Sequence, residues 1–115
     1  MRIDEYEYGR IVIDGREERR DVIVTPSGVH PNWWREQGHA LTIDDLGPVL
    51  EDPPQVLVVG TGTAGNMRPR PGLREELTDR GIDLVAAPTD EAVRRFNELL
   101  GLGEVTVAAA LHLTC

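Results

Sequence analysis

The rhythm of apolar and polar positions changes near Gln55. Before it, short apolar runs are broken by turn residues and charge: Arg10-Ile11-Val12-Ile13, then Asp14-Gly15, then a charged stretch from Arg16 to Asp21 that leads into Val22-Ile23-Val24. Tyr8 to Thr25 therefore reads as a hairpin, with Asp-Gly supplying the positive φ of a type I′ turn. The charges from Arg16 to Asp21 read as a solvated strand extension, with a binding rim as the alternative. Pro26-Ser27-Gly28 ends the strand, and Pro31 to Gly38 reads as loop. Thr42-Ile43-Asp44-Asp45 has the form of a capping box, and Gly47-Pro48 keeps the helix it opens short or kinked.

From Gln55 onward strand and helix alternate, the pattern of right-handed parallel crossovers. The strands are Val56 to Val59, Ile82 to Ala87 and Val105 to Leu111. The first crossover helix has Pro71 in its first turn, Leu73 and Leu77 on one face, and a stop at Gly81. The second follows a Thr89 N-cap, aligns Ala92, Val93, Phe96, Leu99 and Leu100, and ends at Gly101. The chain is expected to form one domain over residues 1–115, with a core of Val, Leu, Ile and Ala anchored by Phe96.

Gly60-Thr61-Gly62-Thr63-Ala64-Gly65 directly follows the Val56 strand and matches the G-x-G-x-x-G string of dinucleotide sites. Such a site needs the glycines to open a helix, whose free N–H groups hold the phosphates. Here Asn66-Met67-Arg68-Pro69-Arg70-Pro71 intervenes, and its prolines push Arg68 and Arg70 out of the α region. No helix begins before about Pro71, and no acidic side chain stands at the end of the next strand to bind a ribose. The string reads as a tight strand-to-loop turn, and no cofactor is expected.

Composition narrows the partners. The formal charge of −8 argues against nucleic acid or an anionic membrane surface. All 12 basic residues are arginine, which reads first as coding bias and second as a hint of planar anion recognition. The 1 cysteine, Cys115, forms no intrachain disulfide, and a reducing, cytoplasmic setting is the default. No apolar run reaches the roughly 18 residues of a membrane span, and the acidic N-terminus lacks signal or transit character.

Several residues invite a chemical reading beside a plainer one. Arg68 and Arg70 precede a helix and could grip a phosphate or carboxylate, or simply be solvated charges. Trp33-Trp34-Arg35 could wall a pocket or anchor an interface, or one indole could plug the end of the core. His30, His39 and His112 share no metal-ligand spacing, so no metal site is expected. Cys115 and His112 have opposite parity on an extended strand and should not pair as a nucleophile and its base, which leaves no catalytic residue to name.

Taken together, Trp34-Arg35, Val58-Val59-Gly60-Thr61-Gly62, Arg80-Gly81-Ile82-Asp83, Thr89 through Phe96-Asn97, and His112-Leu113-Thr114-Cys115 resemble the Mth938-domain family. That family, a domain of unknown function, includes a mitochondrial complex I assembly factor and an adipogenesis-associated protein. The resemblance covers nearly the whole chain. It implies an α/β fold with a central mixed β-sheet, helices on one side and an N-terminal hairpin-built second sheet on the other. It brings no settled catalytic residue. Gly60 and Gly62 match the family's strand-end glycines, while Gly65 and the Asn66 to Pro71 loop look particular to this chain.

Two functional expectations follow. The first is a non-catalytic binding or assembly module that meets an unidentified protein partner through a sheet edge or through Trp33 and Trp34. The second is a small-molecule anion site, with or without enzymatic activity, built from Gly60, Thr61, Gly62, Thr63, Arg68 and Arg35 at the carboxyl ends of the parallel strands. Monomer and weak homodimer are equally expected.

Overall fold

A computed structural model describes residues 1–115. Its centre is a five-stranded mixed sheet in the order β5-β4-β10-β7-β9. The three parallel strands are β7 (Val56–Gly60), β9 (Asp83–Ala87) and β10 (Val107–Leu111). On the far side of β10, β4 (Val22–Thr25) and then β5 (Gly28–His30) join antiparallel. β7 and β10 carry almost unbroken apolar sequence because both of their faces are covered.

One face packs on a three-stranded antiparallel sheet formed by β1 (Ile3–Glu7), β2 (Arg10–Ile13) and β3 (Arg16–Glu18). Ile3, Ile11 and Ile13 meet Val22, Val24, Val58, Ala109 and Leu111 there. The other face packs on α1 (Gly47–Glu51), α2 (Leu73–Asp79) and the short pair β6 (Ala40–Leu41) with β8 (Arg68–Pro69). Its core joins Ile23, Leu57 and Val59 to Leu46, Val49, Met67, Leu73 and Leu77. The expected mixed sheet with a hairpin-built second sheet against it is thus present, with α1 and α2 on the face opposite that second sheet. The long helix α3 (Thr89–Leu102) shares the hairpin sheet's face, where Ala92, Val93 and Phe96 enter the same core as Ile3.

The expected hairpin divides in two. Asp14 and Gly15 both have positive φ, 50° and 79°, as the type I′ turn requires, and they join β2 to β3. The run Val22–Thr25 does not continue β3 but crosses into the central sheet, where all four residues are buried. A capping interaction does start the next element: the Asp45 carboxylate accepts from the Thr42 N–H and hydroxyl at 3.0 and 3.1 Å. It opens a 3₁₀ turn over Ile43–Leu46 that runs into α1.

Helix ends depart from expectation in three places. Gly72, at φ 91°, caps α2, so Pro71 lies outside its first turn. Pro88 is the N-cap of α3, while Thr89 is already helical and wholly buried. Gly101 is passed, and α3 ends at Gly103 with φ 67°. No helix is long and apolar enough to cross a membrane.

Candidate functional site

The candidate residues gather at the glycine loop after β7 and at the Trp33 loop beside β4. The first lies where neighbouring parallel strands send their chains to opposite faces. β7 leads to α2 on one face and β9 leads to α3 on the other, which is the arrangement that leaves a crevice at the carboxyl ends of an open α/β sheet. In this protein the crevice holds the protein's own residues 112–115, which follow β10.

That occupation uses the loop's donors. The Thr89 hydroxyl donates to the His112 carbonyl over 2.6 Å and accepts the Gly62 N–H over 2.8 Å. The Thr63 N–H donates to the Thr114 carbonyl at 2.7 Å, and the Asn66 N–H to the Cys115 main-chain oxygen at 3.0 Å. The Thr61 hydroxyl donates to the Ala87 carbonyl at 3.1 Å. The Thr63 hydroxyl shares a 3.0 Å hydrogen bond with Tyr6.

The glycines fit this crossing. A Cβ on Gly60 would stand 2.9 Å from the Thr89 hydroxyl, and one on Gly62 would stand 2.7 Å from the Cys115 backbone. Gly62 also has φ 100°, which a larger residue adopts only at a cost. The chain then runs through β8, and no helix starts before Leu73. The turn read from the proline-rich segment is therefore the one that forms.

The second place is built around a buried arginine. Arg35 is 8% exposed and His112 is 8% exposed. Arg35 Nη1 donates to Asp21 Oδ2 over 2.8 Å, and Nη2 donates to the Gly38 carbonyl at 2.9 Å. The same Asp21 oxygen lies 2.7 Å from His112 Nδ1, while the other Asp21 oxygen accepts the Leu113 N–H at 2.8 Å. A carboxylate oxygen can only accept, so His112 Nδ1 is the donor in this contact, and Arg35 Nη2, itself a donor 3.2 Å from the same nitrogen, finds no acceptor there. Arg35 Nε and His112 Nε2 are buried without a partner in the chain. The His39 ring stands edge-on to His112, with centroids 6.1 Å apart.

This network braces the loop above it. The Arg35 guanidinium carbon lies 4.6 Å from the centre of the Trp33 ring, within cation–π range. The Trp33 Nε1–H donates to the Asp45 carbonyl at 2.9 Å, and its main-chain N–H donates to the Asp21 carbonyl at 2.8 Å. Trp33 packs against the α1 and α2 core. Trp34, the next residue, points outward and is 76% exposed. A hollow of about 420 Å³ lies on one side of it, lined by Arg20, Asp21, Asn32 and both indoles. A second of about 430 Å³ lies on the side of Glu36 and Asp44.

Apart from Arg68, the residues named from sequence fall into two groups. Trp33, Trp34 and Arg35 share one braced loop, and Gly60, Thr61, Gly62 and Thr63 share the turn beneath residues 112–115. Arg68 is exposed on β8, its N–H donating to the His39 carbonyl at 3.0 Å. Nothing in the local sequence links Asp21 and His112 to Arg35. Asp21 belongs to the stretch that reads as solvated, yet its side chain is only 16% exposed. A signal was available: an arginine that must be buried needs a carboxylate, and Asp21 directly precedes a strand that is apolar at each of its first three positions. His112 does not meet Cys115, which is exposed. The neighbouring Cys115 raises the Tyr8 phenol above its ordinary pKa.

The comparisons with known proteins agree with this architecture. Residues 3–112 match the family described as "Protein of unknown function (DUF498/DUF598)", and the chain belongs to that family. Its fold is the Mth938-like one. It is similar to the conserved hypothetical protein PH1505 from Pyrococcus horikoshii OT3, with 29% identity, all of both chains covered (100% and 100%) and a TM-score of 0.83. It is also similar to MT938, at 29% identity, covering 99% of this chain and 98% of that one with a TM-score of 0.79. A Bartonella henselae protein described as an outer membrane protein is 32% identical, with 98% and 94% covered and a TM-score of 0.80.

Proposed function

We propose that this protein is a non-catalytic binding or assembly module whose contact residue is Trp34, presented to a protein partner on a loop held rigid from beneath. The observation that carries the reading is the contrast between adjacent indoles. Trp33 is tied down by a hydrogen bond, a stacked guanidinium and the core, while Trp34 is 76% exposed. A large aromatic surface fixed before binding loses little conformational freedom on association, and tryptophan is enriched among residues that dominate interface energies.

The alternative, an anion site at Gly60, Thr61, Gly62, Thr63, Arg68 and Arg35, has less support. The Thr61 hydroxyl and the Gly62 and Thr63 amides already donate within the chain, and Arg35 is paired with Asp21. Affinity recovery from the native host tests the first reading. Trp34→Ala should lose the partner that the unsubstituted protein recovers, while Leu102→Ala, at another exposed apolar position, should keep it. Equal recovery by both variants overturns the proposal. A thermal-shift screen of phosphates, nucleotides and carboxylates tests the second. A ligand at 100 times its dissociation constant would add about 2.7 kcal/mol.

A further inference from the structure

The partner's chemistry can be read from the ground around Trp34, an inference that rests on the binding-module reading above. The hollow on the α1 side is walled by Trp34, Trp33, Asn32, His30 and the acidic residues Glu36 and Asp44. Glu36 and Asp44 are exposed and belong to none of the chain's ion pairs. Asp45, by contrast, is occupied by Thr42. Arg35 is turned inward onto Asp21 and Trp33, and the exposed Arg20 lines the hollow on the other side of Trp34 and not this one. The hollow therefore combines an accessible indole with two uncompensated carboxylates, on a chain whose formal charge is −8.

We infer that this hollow receives an arginine side chain from a basic segment of a partner protein, its guanidinium lying against Trp34 and facing the carboxylates of Glu36 and Asp44. A guanidinium suits both walls, because its flat face stacks on indole and its N–H fork donates to carboxylates. The loop already contains this pairing in miniature: the Arg35 guanidinium carbon lies over the Trp33 ring, 4.6 Å from its centre, while Nη1 donates to Asp21. An ammonium meets the charge requirement but lacks the planar stacking face. An acidic segment would face repulsion from both carboxylates and from the net charge.

The test is an NMR titration of the whole protein with capped tetra-arginine peptide, and with tetra-lysine and tetra-glutamate peptides in parallel. The Trp34 indole N–H signal should shift saturably with tetra-arginine, less with tetra-lysine and not with tetra-glutamate. Trp34→Ala and the pair Glu36→Gln with Asp44→Gln should each weaken tetra-arginine binding about tenfold. Glu91→Gln with Glu98→Gln removes the same charge from exposed positions on α3, and should change binding less than about twofold. An unmoved Trp34 signal, equal binding of tetra-lysine, or equal losses in the two double variants overturns the inference. If the inference fails while the native partner still depends on Trp34, the binding module stands with a partner of different chemistry. If Trp34→Ala leaves native recovery unchanged, the binding-module reading itself has failed.

Discussion

Asp21 and Arg35 form an ion pair of 2.8 Å with side chains 16% and 5% exposed, the guanidinium enclosed and the carboxylate reaching the wall of the hollow beside Trp34. Coulomb attraction in such surroundings mainly offsets the desolvation of the two charges, so the pair adds modest stability when intact but is costly to break. Its structural effect is to fix the loop that carries Trp33 and Trp34, because the same carboxylate also accepts from His112 and from the Leu113 N–H.

Removing the carboxylate should therefore reveal the burial cost of the guanidinium. Asp21→Ala is expected to destabilise the fold by about 3 kcal/mol, as for other broken buried pairs. Urea denaturation would show this as a lower midpoint with an unchanged slope. A change below about 0.5 kcal/mol would place the pair with ordinary surface bridges.

Thr89→Val keeps the side-chain shape and removes the hydroxyl between Gly62 and His112. It leaves a buried N–H and a buried carbonyl without this partner, at a cost of about 2 kcal/mol. Thr89→Ser should recover most of that loss. If valine and serine behave alike in thermal or urea unfolding, the hydroxyl does not join the two segments.

Gly62→Ala and Gly103→Ala separate crowding from backbone strain. Both glycines have positive φ, 100° and 67°, but only Gly62 has a neighbour where the new Cβ would lie, 2.7 Å from the Cys115 backbone. Gly103→Ala should cost about 1 kcal/mol. Gly62→Ala should cost more, and should speed amide exchange at Thr63 and Asn66, whose N–H groups bind residues 114 and 115. Unchanged exchange at both amides would show that the crossing segment is not displaced.

On the small sheet, Arg10 bonds both Glu17 and Glu5, and its own pKa is raised accordingly. The hydrogen bonds from Arg10 and then Arg19 hold the Glu17 carboxyl below its ordinary pKa of 4.5. A carboxyl lowered on folding adds stability that is present above its unfolded pKa and is lost as pH falls through the folded one. NMR titration should place the Glu17 midpoint below 4.5, and Arg10→Gln should move it upward. An unmoved midpoint would show that the pair does not persist in solution.

The parallel half of the fold was legible because its signals are local. Val56 to Val59 is a continuous apolar run, Leu73 and Leu77 repeat at helical spacing, and Gly81 follows the end of α2, whereas Gly101 lies inside α3 and Gly103 ends it. What escaped depends on pairing at a distance. β1 sets two acidic residues between Ile3 and Tyr6, which breaks strand alternation and gives a register shift between Ile3 and Glu5, and it forms because Ile3 and Tyr6 pair with Ile13 and Ile11. β6 and β8 are two residues each and exist through each other. Thr89 has the chemistry of an N-cap, but Pro88 takes that position and the threonine turns inward to join Gly62 and His112. The candidate site was half visible: Trp33, Trp34 and Arg35 are contiguous, whereas Asp21 and His112 reach them only because β4 and β10 pair Val22 with Leu111.

The most direct test of the account is photo-crosslinking in the native host from a benzoylphenylalanine placed at position 34, with position 102 as the exposed control. A discrete protein adduct is expected from position 34 and none of the same size from position 102. No adduct from position 34, or the same adducts from both positions, would contradict it.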